Sequence, residues 1–315
     1  SLVNRGADVR VADDFSSGSE ENLAAVHDQI SVVRGDLKRR EFADEVTQDI
    51  DTVFHLAADH GGRGYIAEHP ANCATNMALD TTVYEAAVKN NVNKITFASS
   101  ACVYPTDIQQ SKTRLREEMV DFDERGGAYA DEMYGWAKLM GERSLQAFEE
   151  QYDIDASIVR IFSAYGPREN ETHAVMALIA KAYTEQDPFQ IWGDGNQSRN
   201  FTYVSDIVKA LQLAAEQITD ATAVNAGISR HVTINETVET IFDVLGWEPD
   251  EIERDTDKPV GVRHRAADTK RAEERLGWEP EFSFEEGIER TVDWYREEHD
   301  PEAVRQHLRT DLFER

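Results

Sequence analysis

Short runs of β-branched and apolar residues alternate along this chain with longer stretches of helical spacing, and that alternation limits the fold more than any other feature. Val9 to Ala12, Ser31 to Arg34, Thr52 to Leu56, Lys94 to Ser99 and Ser157 to Phe162 read as strands, while Ala71 to Asn91 and Tyr134 to Tyr152 read as helices. A helix between two strands returns the chain to the same edge in the same direction, so the strands pair in parallel and helices cover both faces. The expected fold class is α/β, a doubly wound parallel sheet. Such sheets bind ligands in the crevice at the carboxyl ends of their strands.

The opening residues read as the end of a helix, a stop at Gly6 and a strand closing on Asp13. In a dinucleotide-binding (Rossmann) sheet that strand is the second one. A first strand and a Gly-rich turn, roughly 20 residues by the usual size of such a unit, are therefore expected ahead of Ser1; otherwise the cofactor is held weakly. Residues 1–165 are expected to form the cofactor-binding unit. Beyond Gly166 the pattern loosens, with a turn at Trp192 to Gly195 and a helix at Thr233 to Leu245. Residues 166–315 are expected to be mainly a smaller substrate-binding region, with some segments returning to the sheet and a solvated acidic helix after Asp293.

Acidic residues outnumber basic ones 61 to 33, for a formal charge of -28. A surface of that sign repels nucleic acid and anionic membranes, and its excess suits a protein kept soluble in concentrated salt. The 2 cysteines, Cys73 and Cys102, make no disulfide framework, which fits a reducing cytoplasm. No apolar run approaches the roughly 20 residues that span a bilayer, and no metal site is expected.

Tyr134 and Lys138 lie four apart, on one face of their helix. A neighbouring ammonium favours a phenolate, which turns a poor base into a usable one. Ser100 stands at the end of an earlier strand, where it can hold the same substrate hydroxyl that Tyr134 deprotonates. Ser, Tyr and Lys are the minimum set for oxidising an alcohol by hydride transfer. Cys102, two residues on, is either a proton-transfer base or a small packing residue.

With Ser99-Ser100-Ala101-Cys102-Val103-Tyr104-Pro105 and Tyr134-Gly-Trp-Ala-Lys138 in place, the sequence resembles the extended short-chain dehydrogenase/reductase family of nucleotide-sugar epimerases and dehydratases. Ala57 to Ile66 and Trp192 to Arg199 add to the resemblance and are similar to its GDP-mannose 3,5-epimerase branch. Dehydratases of the family carry an acidic pair where this chain has Ala101-Cys102, which disfavours loss of water. The branch pairs its cysteine with a lysine, and His173 stands at that position here. GDP-fucose synthases, also similar, carry a histidine ahead of the equivalent helix.

The resemblance implies NAD as cofactor, a nucleoside-diphosphate sugar as substrate and a homodimer joined through the 71–91 and 134–152 helices. It places Ser100, Cys102, Tyr134, Lys138 and His173 in the chemistry. Asp13, Ser17, Asp36, Leu37, Leu56, Ala57, Ala58, Asn76, Ser99 and Ile161 join Tyr134 and Lys138 around the cofactor; a carboxylate at Asp13 accepts ribose hydroxyls and repels a 2′-phosphate. Gly61, Gly62, Ser100, Ser163, Lys181, Gln197, Ser198, Arg199, Arg263 and Arg265 are implied for the sugar nucleotide, where cations suit a diphosphate. Ser163 replaces a common asparagine. Two other readings stand beside this one: a UDP-sugar 4-epimerase in which Cys102 only packs, and a non-catalytic cofactor-binding homologue.

Overall fold

The computed structural model describes residues 1–120 and 130–310. Six parallel strands carry the architecture: β1 (Val9–Asp13), β2 (Ile30–Arg34), β3 (Thr52–His55), β4 (Lys94–Ser100), β5 (Asp155–Ile161) and β6 (Asp220–Ala226). Strands β3 to β6 form one sheet in the order β6-β5-β4-β3, and β1 pairs with β2 separately, Val9 opposite Ile30. Among the described residues no strand pairs with both sheets to join them. The difference shows in burial: β4 is buried at six of its seven positions, whereas β1 and β2 contain no fully buried residue.

Period-two alternation distributes the core to both faces. Ile158 packs with Tyr84, Phe97 and Leu145 beneath α1 (Asn76–Lys89) and α2 (Glu132–Tyr152), while the next residue, Val159, packs with Ile207, Leu211 and Trp278 beneath α4 (Val204–Gln217), which follows α3 (Ala174–Tyr183) in the chain. The sheet is thus doubly wound. The helix expected over 71–91 divides at Thr75 into Pro70–Ala74 and α1.

A second apolar core, built on Tyr165, Ile179, Phe189, Phe201, Phe242, Phe284 and Tyr295, joins α3 to α5 (Ile234–Leu245) and α6 (Phe284–Glu298). The chain after Asp293 is not the freely solvated helix its acidity suggested. Tyr295 and Val304 are buried in this core, because apolar residues on one stripe of these helices outweigh the charge on the other. Residues 311–315 of that tail lie outside the described residues.

Candidate active site

Strand β4 ends at Ser100, opposite Ile161 at the end of β5, and the chain then turns through Cys102. The Ser100 hydroxyl accepts the Cys102 amide at 3.1 Å and also hydrogen-bonds Tyr134. Helix α2 reaches this turn because position 135 is glycine: a Cβ there would sit 2.2 Å from the Cys102 carbonyl oxygen. One turn along α2, buried Lys138 donates to the Ala98 carbonyl at 2.9 Å, and its Nζ lies 5.9 Å from the centre of the Tyr134 ring.

The electrostatics differ from the simple picture of a lysine ionising a tyrosine. Burial pushes the Tyr134 phenol up, the Cys102 and Asp80 charges add to the rise, and only the Ser100 bond opposes them. Lys138 is itself lowered by burial, with Asp80 and Glu142 working against that loss. In this form the phenol holds its proton. It becomes a base only when further positive charge enters the crevice.

Cys102 faces a cluster of guanidinium groups. Arg265 donates to Cys102 Sγ at 3.3 Å, to Asp131 at 2.8 Å and to Gln109 at 2.7 Å, and Arg63 holds the other Asp131 oxygen at 3.0 Å. Burial tends to raise Asp131, but Arg265 and Arg63 overcome it and hold the carboxyl below the usual range. Arg199 donates to the Val260 carbonyl at 2.8 Å; burial and then repulsion from Arg265 bring it down to about 9. Three guanidiniums face the carboxylates of Asp131 and Glu132, the latter bonded to Arg63. Among the described residues Arg199 forms no ion pair of its own, so the cluster suits a phosphate-bearing ligand.

Two histidines occupy another side of Tyr134. The His60 ring centre lies 6.4 Å from that of Tyr134 and 5.8 Å from that of His173. His173 caps the start of α3 and shares a hydrogen bond with Glu169 at 2.9 Å. The loop carrying His60 presses against it, since a Cβ at Gly62 would meet the Thr172 carbonyl oxygen at 2.4 Å. His60 is open to solvent yet set deep among protein atoms. Desolvation there, then repulsion from His173 and Lys138, brings its pKa down to about 4, so at neutral pH it is an uncharged imidazole.

The cofactor end is marked by groups left uncommitted. Leu56, just past β3, is 55% exposed, an apolar surface at the mouth of a strand, with half-buried Ala57 and Ala58 behind it. Asp13 at the end of β1 accepts the Phe15 amide at 2.7 Å through one oxygen, leaving the other for a ligand hydroxyl. Ser17 is exposed, and Asp36 and Leu37 are half-buried beyond β2. An apolar shelf at the end of β3 and a carboxylate with a free oxygen at the end of β1 are the kinds of group that suit a dinucleotide.

Several expected residues spend their polar groups on neighbours within the protein. Ser99 is buried and donates to Glu142 at 2.5 Å, because adjacent strand residues point to opposite faces. Asn76 spends its amide on the Asp59 backbone, at 2.7 and 2.9 Å, which fixes the 59–62 loop. Ser198 is buried between His231 and His264. Arg263 forms a two-bond pair with Asp194, both at 2.9 Å, on the surface. Lys181 donates to the Gln190 carbonyl at 3.1 Å, Gln197 to that of Trp192 at 2.7 Å, and Ser163 is half-buried. Sequence reasoning passed over His60, Arg63 and Asp131. The first two lie inside the Ala57 to Ile66 segment, but spacing alone could not show that they turn toward Tyr134 and Asp131.

A Ser-Tyr-Lys set in the crevice of a doubly wound sheet, beside a cationic cluster, is an arrangement suited to oxidising a hydroxyl of a phosphorylated substrate by hydride transfer. The chain belongs to the NAD dependent epimerase/dehydratase family, whose model matches residues 1–227. It is similar to GDP-mannose 3,5-epimerase of Arabidopsis thaliana, 32% identical over 277 residues that cover 86% of this chain and 71% of that protein. It is also similar to GDP-L-fucose synthase of Escherichia coli, 29% identical over 90% of this chain and 91% of that one. Among solved structures, UDP-glucose 4-epimerase of Thermotoga maritima with UDP-glucose superposes with a TM-score of 0.82 at 26% identity, over 94% of this chain and 93% of that one. The protein is an NAD-dependent epimerase of nucleotide sugars.

Proposed function

We propose that the chain inverts a centre next to carbon 4 of a GDP-hexose, with GDP-mannose as the first substrate to test, by transient oxidation at carbon 4. Bound NAD supplies the acceptor and donor of hydride. Ser100 holds the carbon-4 oxygen and Tyr134 takes its proton. A carbon-4 ketone acidifies the hydrogens on carbons 3 and 5, which gives Cys102 a proton to remove. His173, held by Glu169, returns a proton from the other side of the ring. Arg199 and Arg265 hold the diphosphate.

The observation that carries this reading is the 3.3 Å bond from Arg265 to Cys102 Sγ, which holds the sulfur in the crevice beside the guanidinium cluster rather than in the packed interior. Incubation with GDP-mannose in deuterated water is expected to place deuterium at carbon 3 or 5, and Cys102→Ser to lower that exchange by about a hundredfold. Product formed without label at either carbon overturns the reading.

The second reading, a UDP-sugar 4-epimerase, is favoured by the likeness to the Thermotoga maritima enzyme. In it Cys102→Ser keeps most activity with a UDP-sugar.

The working unit is proposed to be a homodimer through α1 and α2. Met133 and Met140, seven apart on α2, are two of the few large apolar side chains left exposed. Met140→Lys is expected to halve the mass measured by light scattering; an unchanged mass counts against this interface.

A further inference from the structure

On the far side of the strands that hold the arginine cluster, Lys112, Arg114, Ile228, Ser229, Arg230 and His231 line an open cavity of about 640 Å³, within the range of small-molecule sites. Its position follows from strand alternation. Ser198 and Arg199 are consecutive in a short strand, and His264, bridged to Ser198, and Arg265 lead into the strand Ala266–Ala267; Arg199 and Arg265 turn to the Cys102 crevice, while Ser198 and His264 turn to the opposite side, where they meet His231. The cavity is therefore separated from the nucleotide-sugar crevice by the backbone that both share.

Its charge is unusual for this chain. With 61 acidic residues against 33 basic ones, an uncompensated cation pair is unexpected, yet Lys112 and Arg114 have no carboxylate partner among the described residues. Arg230 is already neutralised by Glu236 and Glu285 and contributes little. The histidines add hydrogen-bonding capacity. The Ser198 hydroxyl can donate to only one of the two rings it touches, His231 Nδ1 at 3.2 Å and His264 Nδ1 at 2.8 Å, and among the described residues His231 Nε2 has no partner. Burial lowers His231, and the charges of His264, Lys112 and Arg114 lower it further; a bound anion relieves that repulsion.

We propose that this cavity is a second ligand site, which takes a phosphate-bearing anion through Lys112, Arg114 and His231, independently of the nucleotide-sugar crevice. The test is calorimetric titration of the NAD-loaded protein at fixed ionic strength with inorganic phosphate and, separately, with glucose 1-phosphate. Saturable binding is expected, weakened at least tenfold in the Lys112→Ala/Arg114→Ala double variant and changed less than twofold by Arg199→Ala. Both altered lysine and arginine side chains are exposed, so the double variant retains its core. Equal affinity for the two probes identifies the free ion as the ligand, and tenfold tighter glucose 1-phosphate identifies an organic phosphate; either supports the site. The proposal is overturned if the unaltered protein shows no saturable binding, or if Arg199→Ala abolishes binding that the double variant spares.

Discussion

Tyr134→Phe is expected to lower kcat about a thousandfold, within the range for loss of a positioned acid or base, while nucleotide-sugar affinity stays within a few-fold. Among the described residues the phenol oxygen is hydrogen-bonded to Ser100, and in the proposed reaction it also meets the reacting hydroxyl, so its removal deletes an interaction made in the transition state and spares the arginines proposed to hold the diphosphate. A thousandfold loss corresponds to about 4 kcal/mol of barrier. Single-turnover kinetics with calorimetric binding separate the two quantities, and the melting temperature should stay close to that of the parent because phenylalanine fills the same space. A phenylalanine variant with a tenth or more of parental kcat means that another group removes the carbon-4 proton. The neutral His60 imidazole, 6.4 Å away ring to ring, is then the first to examine.

The placing of Ser100, Tyr134 and Lys138 on their elements was legible in the sequence because the patterns that set it are local. Tyr134 and Lys138 share a helix face at a spacing of four, and Ser100 ends a strand whose apolar pattern spans only a few residues. The electrostatic balance was not legible. Spacing implies that an ammonium beside a phenol lowers it, whereas burial of both groups raises the phenol and depresses the ammonium. The long-range partners were equally hidden. Arg265 and Cys102 are 163 residues apart in sequence, and Arg63 meets Asp131 across 68. Where the reading of single residues missed, strand alternation was the usual reason: Ser99 and Ser198 sit beside site residues in the chain and therefore face away from them.

The largest effect on stability is expected at Arg160. Its guanidinium reaches Glu142 through two bonds, at 2.9 and 2.7 Å, the Tyr104 hydroxyl at 3.2 Å and the Glu117 carbonyl at 3.0 Å, with both charged side chains almost fully buried. Arg160→Met leaves the Glu142 carboxylate in the interior with the Ser99 hydrogen bond and the more distant charge of Lys138 as its remaining support, which costs about 3–5 kcal/mol for a broken buried pair. Removing both charges in Arg160→Met/Glu142→Leu costs much less, because two desolvation penalties disappear with the attraction. The pair also has a positional role. Glu142 lies one turn beyond Lys138 on α2, and Arg160 precedes Ile161 at the crevice end of β5, so the bond between them clamps the catalytic helix to the strand ends. Urea unfolding of the two single variants and the double variant measures the coupling. The double variant should recover most of the stability but not all of the turnover, since apolar packing restores the core without fixing the register of Lys138. A single Arg160→Met variant less than about 1 kcal/mol below the parent, well short of the broken-pair cost, would mean that the interior takes in water around Glu142, and the clamp would then lose its electrostatic basis.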